Sequence, residues 1–184
     1  MAISQEARLA KNKKIAQTRQ ETAKRRQLQA AKTYQLKIVS NKLSAKQRST
    51  LDQVFLQAKW YTNDVINHLE SGKLSDYVSS VKSVDVRLGS GSDEYEARKL
   101  THLSAQIKQA IVRRVGDSLS ALKALKSKGR RVGRLTYTKE VASLPLNQYG
   151  KTHRIIDEST FRIVKIGQVK VKGLQHIPQD AEVA

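Results

Sequence analysis

The sequence predicts an α+β fold, a small β-barrel interrupted by a helical insertion and preceded by a basic arm. Three observations carry that expectation. An alternating apolar–polar stretch opens the folded part, two long helical patterns follow it, and the last third is rich in short alternating runs. The 184 residues suffice for one sizeable domain with an appendage.

Residues 1–32 form the arm. Arg8, Lys11, Lys13, Lys14, Arg19, Lys24, Arg25, Arg26 and Lys32 stand against only Glu6 and Glu21. Ala, Gln and Lys favour helix, yet Ile3, Leu9, Ile15 and Leu28 are too sparse for a core-facing stripe. The segment reads as disordered or weakly helical alone and ordered on a polyanion, or else as a solvated tail.

Residues 33–43 supply the first strand, with Tyr34, Leu36 and Ile38 on one face and Gln35 and Lys37 on the other. Residues 44–128 form the helical insertion. Ser44 is an N-cap with Gln47 at the capping-box position, and Leu51, Val54, Phe55, Ala58, Tyr61, Val65 and Leu69 recur at helical spacing up to Ser71-Gly72. Residues 71–92 read as a mobile polar connection. A second helix is expected from about Asp93, with Asp93, Glu94 and Glu96 in its first turn. Its stripe is Leu100, Leu103, Ile107, Ile111, Val115, Leu119 and Leu122, and its end is Gly129. Residues 129–178 then hold strands at Val132–Lys139, His153–Ile156, Phe161–Ile166 and Gln168–Lys172, the last two a hairpin around Gly167. Residues 179–184 are a polar tail.

Charge speaks of partners. A net charge of +19 points to phosphate polymers, because Lys and Arg gain affinity by releasing condensed counterions. The absence of cysteine excludes disulfides and thiolate metal sites. No apolar run reaches the ~20 residues of a membrane span, so no membrane partner and a cytoplasmic location are expected. His68, His102, His153 and His176 lack ligand spacing, carboxylates are few, and no P-loop occurs. No metal, cofactor or catalytic residue is expected.

The densest basic run is Lys126-Ser-Lys-Gly-Arg-Arg-Val-Gly-Arg134, at a helix end and the turn beyond. The macrodipole accounts for one or two cations there, not for Lys126, Lys128, Arg130, Arg131 and Arg134 together. Arginine suits bidentate phosphate contact, so the run reads as a phosphate-binding turn.

Two strings in this order are familiar. Lys128-Gly-Arg-Arg-Val-Gly133, then Phe161-Arg-Ile-Val-Lys-Ile-Gly-Gln-Val-Lys-Val-Lys-Gly173, resemble the N-terminal half of the TnpB (OrfB) family of transposon-encoded RNA-guided nucleases, relatives of the type V CRISPR effectors. Tyr34 to Ile38 is similar to the family's opening strand, and Gln57-Ala-Lys-Trp-Tyr-Thr-Asn63 to a helix of its recognition lobe. Val164 stands where the family usually has proline, and Leu135-Thr136 where Phe-Pro is common. The resemblance spans about residues 33–178. It implies a wedge barrel of the OB-like kind carrying a helical recognition lobe, a structured guide RNA and a target DNA duplex as partners, and RNA contacts from Lys165, Lys170 and Lys172 besides the basic turn. It also places Tyr77, Ser104, Lys108 and Asn147 near positions that touch the short DNA motif beside the target. The family's nuclease domain would begin about where residue 184 falls. The resemblance therefore implies a binding module, whether fragment, truncated relative or subunit with a separate RuvC-like nuclease partner. A structural RNA-binding protein of the ribosomal kind and an RNA-independent DNA-binding regulator are the alternatives.

Overall fold

The computed structural model describes residues 5–27, 32–71, 81–89, 92–178 and 181. The chain divides into two units, Met1–Gln35 and Leu36–Ala184. In the first, α1 (Gln5–Gln27) is helical, with Leu9 and Ile15 exposed and the Thr18 and Thr22 hydroxyls bonded to carbonyls one turn back. With no apolar face to bury, its helicity rests on local propensity alone.

The second unit is mixed α and β. Its first strand, β1, is confined to Lys37–Ile38, shorter than expected, although Leu36 and Ile38 pack together as the alternation requires. Helix α2 (Ala45–Ser71) begins at the predicted capping box. The Ser44 amide donates to Gln47 Oε1 at 3.0 Å and the Gln47 amide to Ser44 Oγ at 3.2 Å. Its predicted stripe is the core, with Val54, Ala58, Tyr61 and Val65 buried.

Where a polar connection and an early helix start were expected, a hairpin stands instead. Strands β2 (Ser83–Arg87) and β3 (Tyr95–Lys99) pair antiparallel, so Asp93, Glu94 and Glu96 belong to the hairpin and not to a helix. The reason is a period-two pattern, Ser-Val-Asp-Val-Arg, that lays Val84 and Val86 on the helical core while Arg87 pairs with Asp93 at 2.8 Å. Helix α3 (Ala105–Ser127) starts a dozen residues later than predicted. Leu100 and Leu103 precede it but are buried as expected, together with Ile107, Ile111 and Val115.

The end of α3 falls at Gly129 as predicted. The Gly129 amide donates to Lys126 O at 3.0 Å and the Arg130 amide to Leu125 O at 3.1 Å, the two bonds of a Schellman cap, with Gly129 at φ 74°. A Cβ at Gly129 meets nothing within 4 Å, so Gly129→Ala carries only the left-handed backbone cost and should lower stability by about 1 kcal/mol in chemical denaturation.

The remaining strands are β4 (His153–Asp157), β5 (Thr160–Ile163) and β6 (Gly167–Lys172). The sheet order is β1-β6-β5-β4, antiparallel throughout. First and last strands pair, Lys37 opposite Lys172, as a closing strand would. No sheet closes into a barrel among the described residues. The expected strand at Val132–Lys139 explains why: among the described residues it pairs with no strand, and it lies along the helices. The Asn63 side chain takes its backbone, donating to Thr138 O at 3.1 Å and accepting from the Thr138 amide at 2.8 Å, and Leu135 packs against the α2/α3 core. The β5–β6 turn is also wider than predicted. Val164 joins the helical core and its amide donates to Thr152 O, so Lys165 makes the turn at φ 71° and Gly167 becomes the first residue of β6.

Two apolar clusters result. One lies between α2, α3 and β2; the other covers the inner face of the four-stranded sheet, around Val169, Val171 and Leu174. The Gln47 amide nitrogen donates to Gln168 O at 2.6 Å, tying the start of α2 to β6. Among the described residues no helix is long and apolar enough to cross a membrane.

Candidate nucleic-acid interface

Alternation decides which side chains of the sheet face water. Val169 and Val171 are buried, so Gln168, Lys170 and Lys172 point outward. Cross-strand register extends that face: Lys172 lies opposite Lys37, Gln168 opposite Arg162, and Arg162 opposite Arg154. Lys37, Arg154, Arg162, Lys170 and Lys172, from all four strands, thus share one exposed face. Among the described residues none of the five forms an ion pair. Arg154 and Arg162 are direct cross-strand neighbours, an arrangement that destabilises a sheet unless an anion is bound between them.

The one carboxylate on these strands, Asp157, sits at the β4–β5 turn. Its Oδ1 accepts from the Ser159 amide at 2.8 Å and the Ser159 hydroxyl at 3.1 Å. The Ser159 amide above all, then the Thr160 hydroxyl, hold its pKa down from 3.8 to about 2. Because the folded carboxyl binds its proton less readily than the unfolded one, its stabilisation is complete above pH 4 and is lost as pH falls through 2. Denaturation midpoints measured from pH 5 to 2 should fall less steeply in Asp157→Asn than in the parent. Lys170 is anchored beside it, its Nζ donating to Ser159 Oγ at 3.0 Å and Thr160 Oγ1 at 2.7 Å.

The basic turn is as exposed as its sequence suggests. Lys126, Lys128, Arg130, Arg131 and Arg134 all face solvent. Lys165, also exposed, projects from the β5–β6 turn.

The residues implied for DNA recognition are placed as follows by their own elements. Tyr77 lies outside the described residues. Ser104 is the N-cap of α3, its hydroxyl accepting from the Ile107 amide at 3.2 Å. Lys108 is only 7% exposed and its Nζ donates to Val81 O at 2.6 Å; burial, then the charge of Lys165, lower its pKa. Both side chains thus already bond to main-chain groups of this chain, Ser104 half-buried and Lys108 buried. Asn147 lines an open groove of about 910 Å³ between α3 and residues 145–148, together with Gln106, Gln109, Arg113, Arg114 and Gln148. At 100° per residue, Gln106, Gln109 and Arg113 lie on the side of α3 opposite Lys108. Arg114 fixes the facing segment, donating from Nη1 to Ser143 O at 2.9 Å. The polar spacing 106, 109, 113 was readable in the sequence; its partner segment was not.

Two of the histidines, His102 and His153, are packing groups, while His68 and His176 are exposed. Gln57, itself buried, brackets His102 through the His102 amide and ring Nδ1. His153 sits on the inner sheet face against Tyr149 and Phe161, and burial lowers its pKa.

An α+β protein with a cationic sheet face, a basic helix-end turn and an amide-lined groove is what the geometry defines. Comparison with protein-family models, with curated proteins and with solved structures finds no match.

Proposed function

We propose that this chain is a non-catalytic nucleic-acid-binding module, of the kind its resemblance to the TnpB family implies. Structured guide RNA lies on the outer sheet face and against Lys126–Arg134, and target duplex DNA meets the groove containing Asn147. Base pairing reads the sequence, while the protein supplies backbone contacts and reads a short adjacent motif. Bond cleavage belongs to a RuvC-like nuclease domain or subunit outside these residues.

The observation that supports this reading best is the exposed sheet face carrying Lys37, Arg154, Arg162, Lys170 and Lys172 without an ion pair among the described residues. Like charges gathered at such density are an unfavourable arrangement until a polyanion neutralises them.

Purification under mild salt followed by sequencing of bound RNA tests the proposal. A discrete RNA of defined sequence supports it, ribosomal RNA replaces it with the structural alternative, and protein free of RNA that still binds duplex DNA replaces it with the regulator. Replacing Arg130 and Arg131 together with alanine should weaken RNA binding and reduce the slope of log K against log salt by about two. An unchanged slope in a titration from 50 to 300 mM NaCl, about a Debye length of 14 down to 6 Å, makes the turn a solvated one.

A further inference from the structure

Strand β3 is exposed at every residue, Tyr95 to Lys99, and it forms one edge of a two-stranded sheet whose other strand, β2, packs on the helical core. Such a sheet is marginal by itself, and an edge that, like this one, has no strand partner among the described residues is a template for another strand. The hydrogen bonds bounding the ladder show which groups the edge presents. The Leu88 amide donates to Glu94 O and the Leu100 amide to Lys82 O. Even-numbered residues of β3 therefore turn their peptide groups toward β2, and Tyr95, Ala97 and Lys99 turn theirs to the open side.

From this edge we infer that β3 pairs with β3 of a second copy of this chain. The five residues Tyr-Glu-Ala-Arg-Lys are self-complementary when laid antiparallel about Ala97. Ala97 faces Ala97 once, at the two-fold axis, while Glu96 faces Arg98 and Tyr95 faces Lys99, each of these two relations occurring twice because the interface is isologous. The outward-pointing peptide groups fall into register as well. Ala97 with its counterpart, and Tyr95 with Lys99, become hydrogen-bonded pairs that exchange both N–H···O bonds. Glu96 and Arg98 become the closer, non-hydrogen-bonded pairs, where opposite charges interact most strongly. On the other side of the sheet, Lys99 reaches the face of a tyrosine 63% exposed in the single chain. Within one chain Glu96 and Arg98 already pair at 2.6 Å, so each gains a second opposite charge rather than exchanging solvent for a lone one. Charged side chains usually guard an edge against pairing. Here their order, acid then base about a small residue, repels a strand of uniform charge and accepts its own image.

The pairing is small, so weak association is expected, with half-dimerisation in the range of ~10–500 µM. Sedimentation of the full chain, freed of nucleic acid by nuclease and a high-salt wash, tests it across that range. A concentration-dependent dimer is the expected result, and a monomer throughout overturns the proposal. Ala97→Pro removes a donor that faces away from β2, leaving the hairpin ladder intact, and should weaken dimerisation at least tenfold. Glu96→Arg should do the same by opposing two cations, and adding Arg98→Glu should restore the dimer; failure of that rescue overturns the register. Hydrogen exchange gives a readout independent of variants. Amides of Tyr95, Ala97 and Lys99 should slow as concentration rises while those of Glu96 and Arg98 stay unchanged, and equal behaviour of the two sets excludes this edge.

Discussion

Replacing Arg154 and Arg162 together with serine is expected to lower affinity for RNA by about 10- to 100-fold and to reduce the salt slope by between one and two units. The two side chains stand directly opposite on β4 and β5, exposed and without an ion pair among the described residues. Each is free to neutralise a phosphate, and the pair presents two planar forks at the distance of one strand spacing. Folding should not suffer. Removing one of two like charges that face each other across strands relieves repulsion, so the double variant should melt at or slightly above the temperature of the parent. Filter binding over a salt series and a thermal scan give both readouts. An unchanged slope with unchanged stability would take the sheet face out of the interface, leaving the helix-end turn as the main phosphate contact.

The second large effect concerns Asn63. Its side chain holds the backbone of Thr138 from both sides, donor to Thr138 O and acceptor from the Thr138 amide. Residues 135–146 have no strand partner among the described residues. Leu135, Val141, Leu144 and Leu146 pack the segment on the helical core, and besides Asn63 the Arg114 side chain holds its backbone, at Ser143 O. Asn63→Ala leaves a part-buried N–H and C=O unpaired and should cost about 2–3 kcal/mol. Hydrogen exchange should show the loss as deprotection between residues 135 and 146, with the sheet amides little affected. Because Asn147 and the groove lie at the end of that segment, recognition of duplex DNA should fall more than binding of RNA.

Much of this molecule was legible in the sequence. The Ser44–Gln47 capping box, the apolar stripe from Val54 to Val65 and the stop at Gly129 depend on groups within a few residues of each other, and each stands where the pattern put it. The strands at residues 153–157 and 167–172 follow from the same alternation that places their cations outward. The cationic run at 126–134 needed no structure to be noticed. The hairpin of β2 and β3 was missed because its polar residues outnumber its two valines, and because Asp93, Glu94 and Glu96 suit a helix start just as well as a turn. The segment at 132–139 was misread for a different reason. An extended alternating run has the same appearance whether its backbone meets a strand or a side-chain amide.

What the sequence determined by itself is therefore local: helix ends, strand faces and an excess of positive charge, all set by interactions within about one turn or one hairpin. Tertiary structure decided which charges act together. Arg154, Arg162 and Lys37 join Lys170 and Lys172 only through cross-strand register, while the Lys108 ammonium is held by a carbonyl 27 residues away in the chain. The cause is the same in both cases. A side chain's surroundings depend on elements distant in sequence that the chain must first bring together, and no spacing within one segment encodes that meeting.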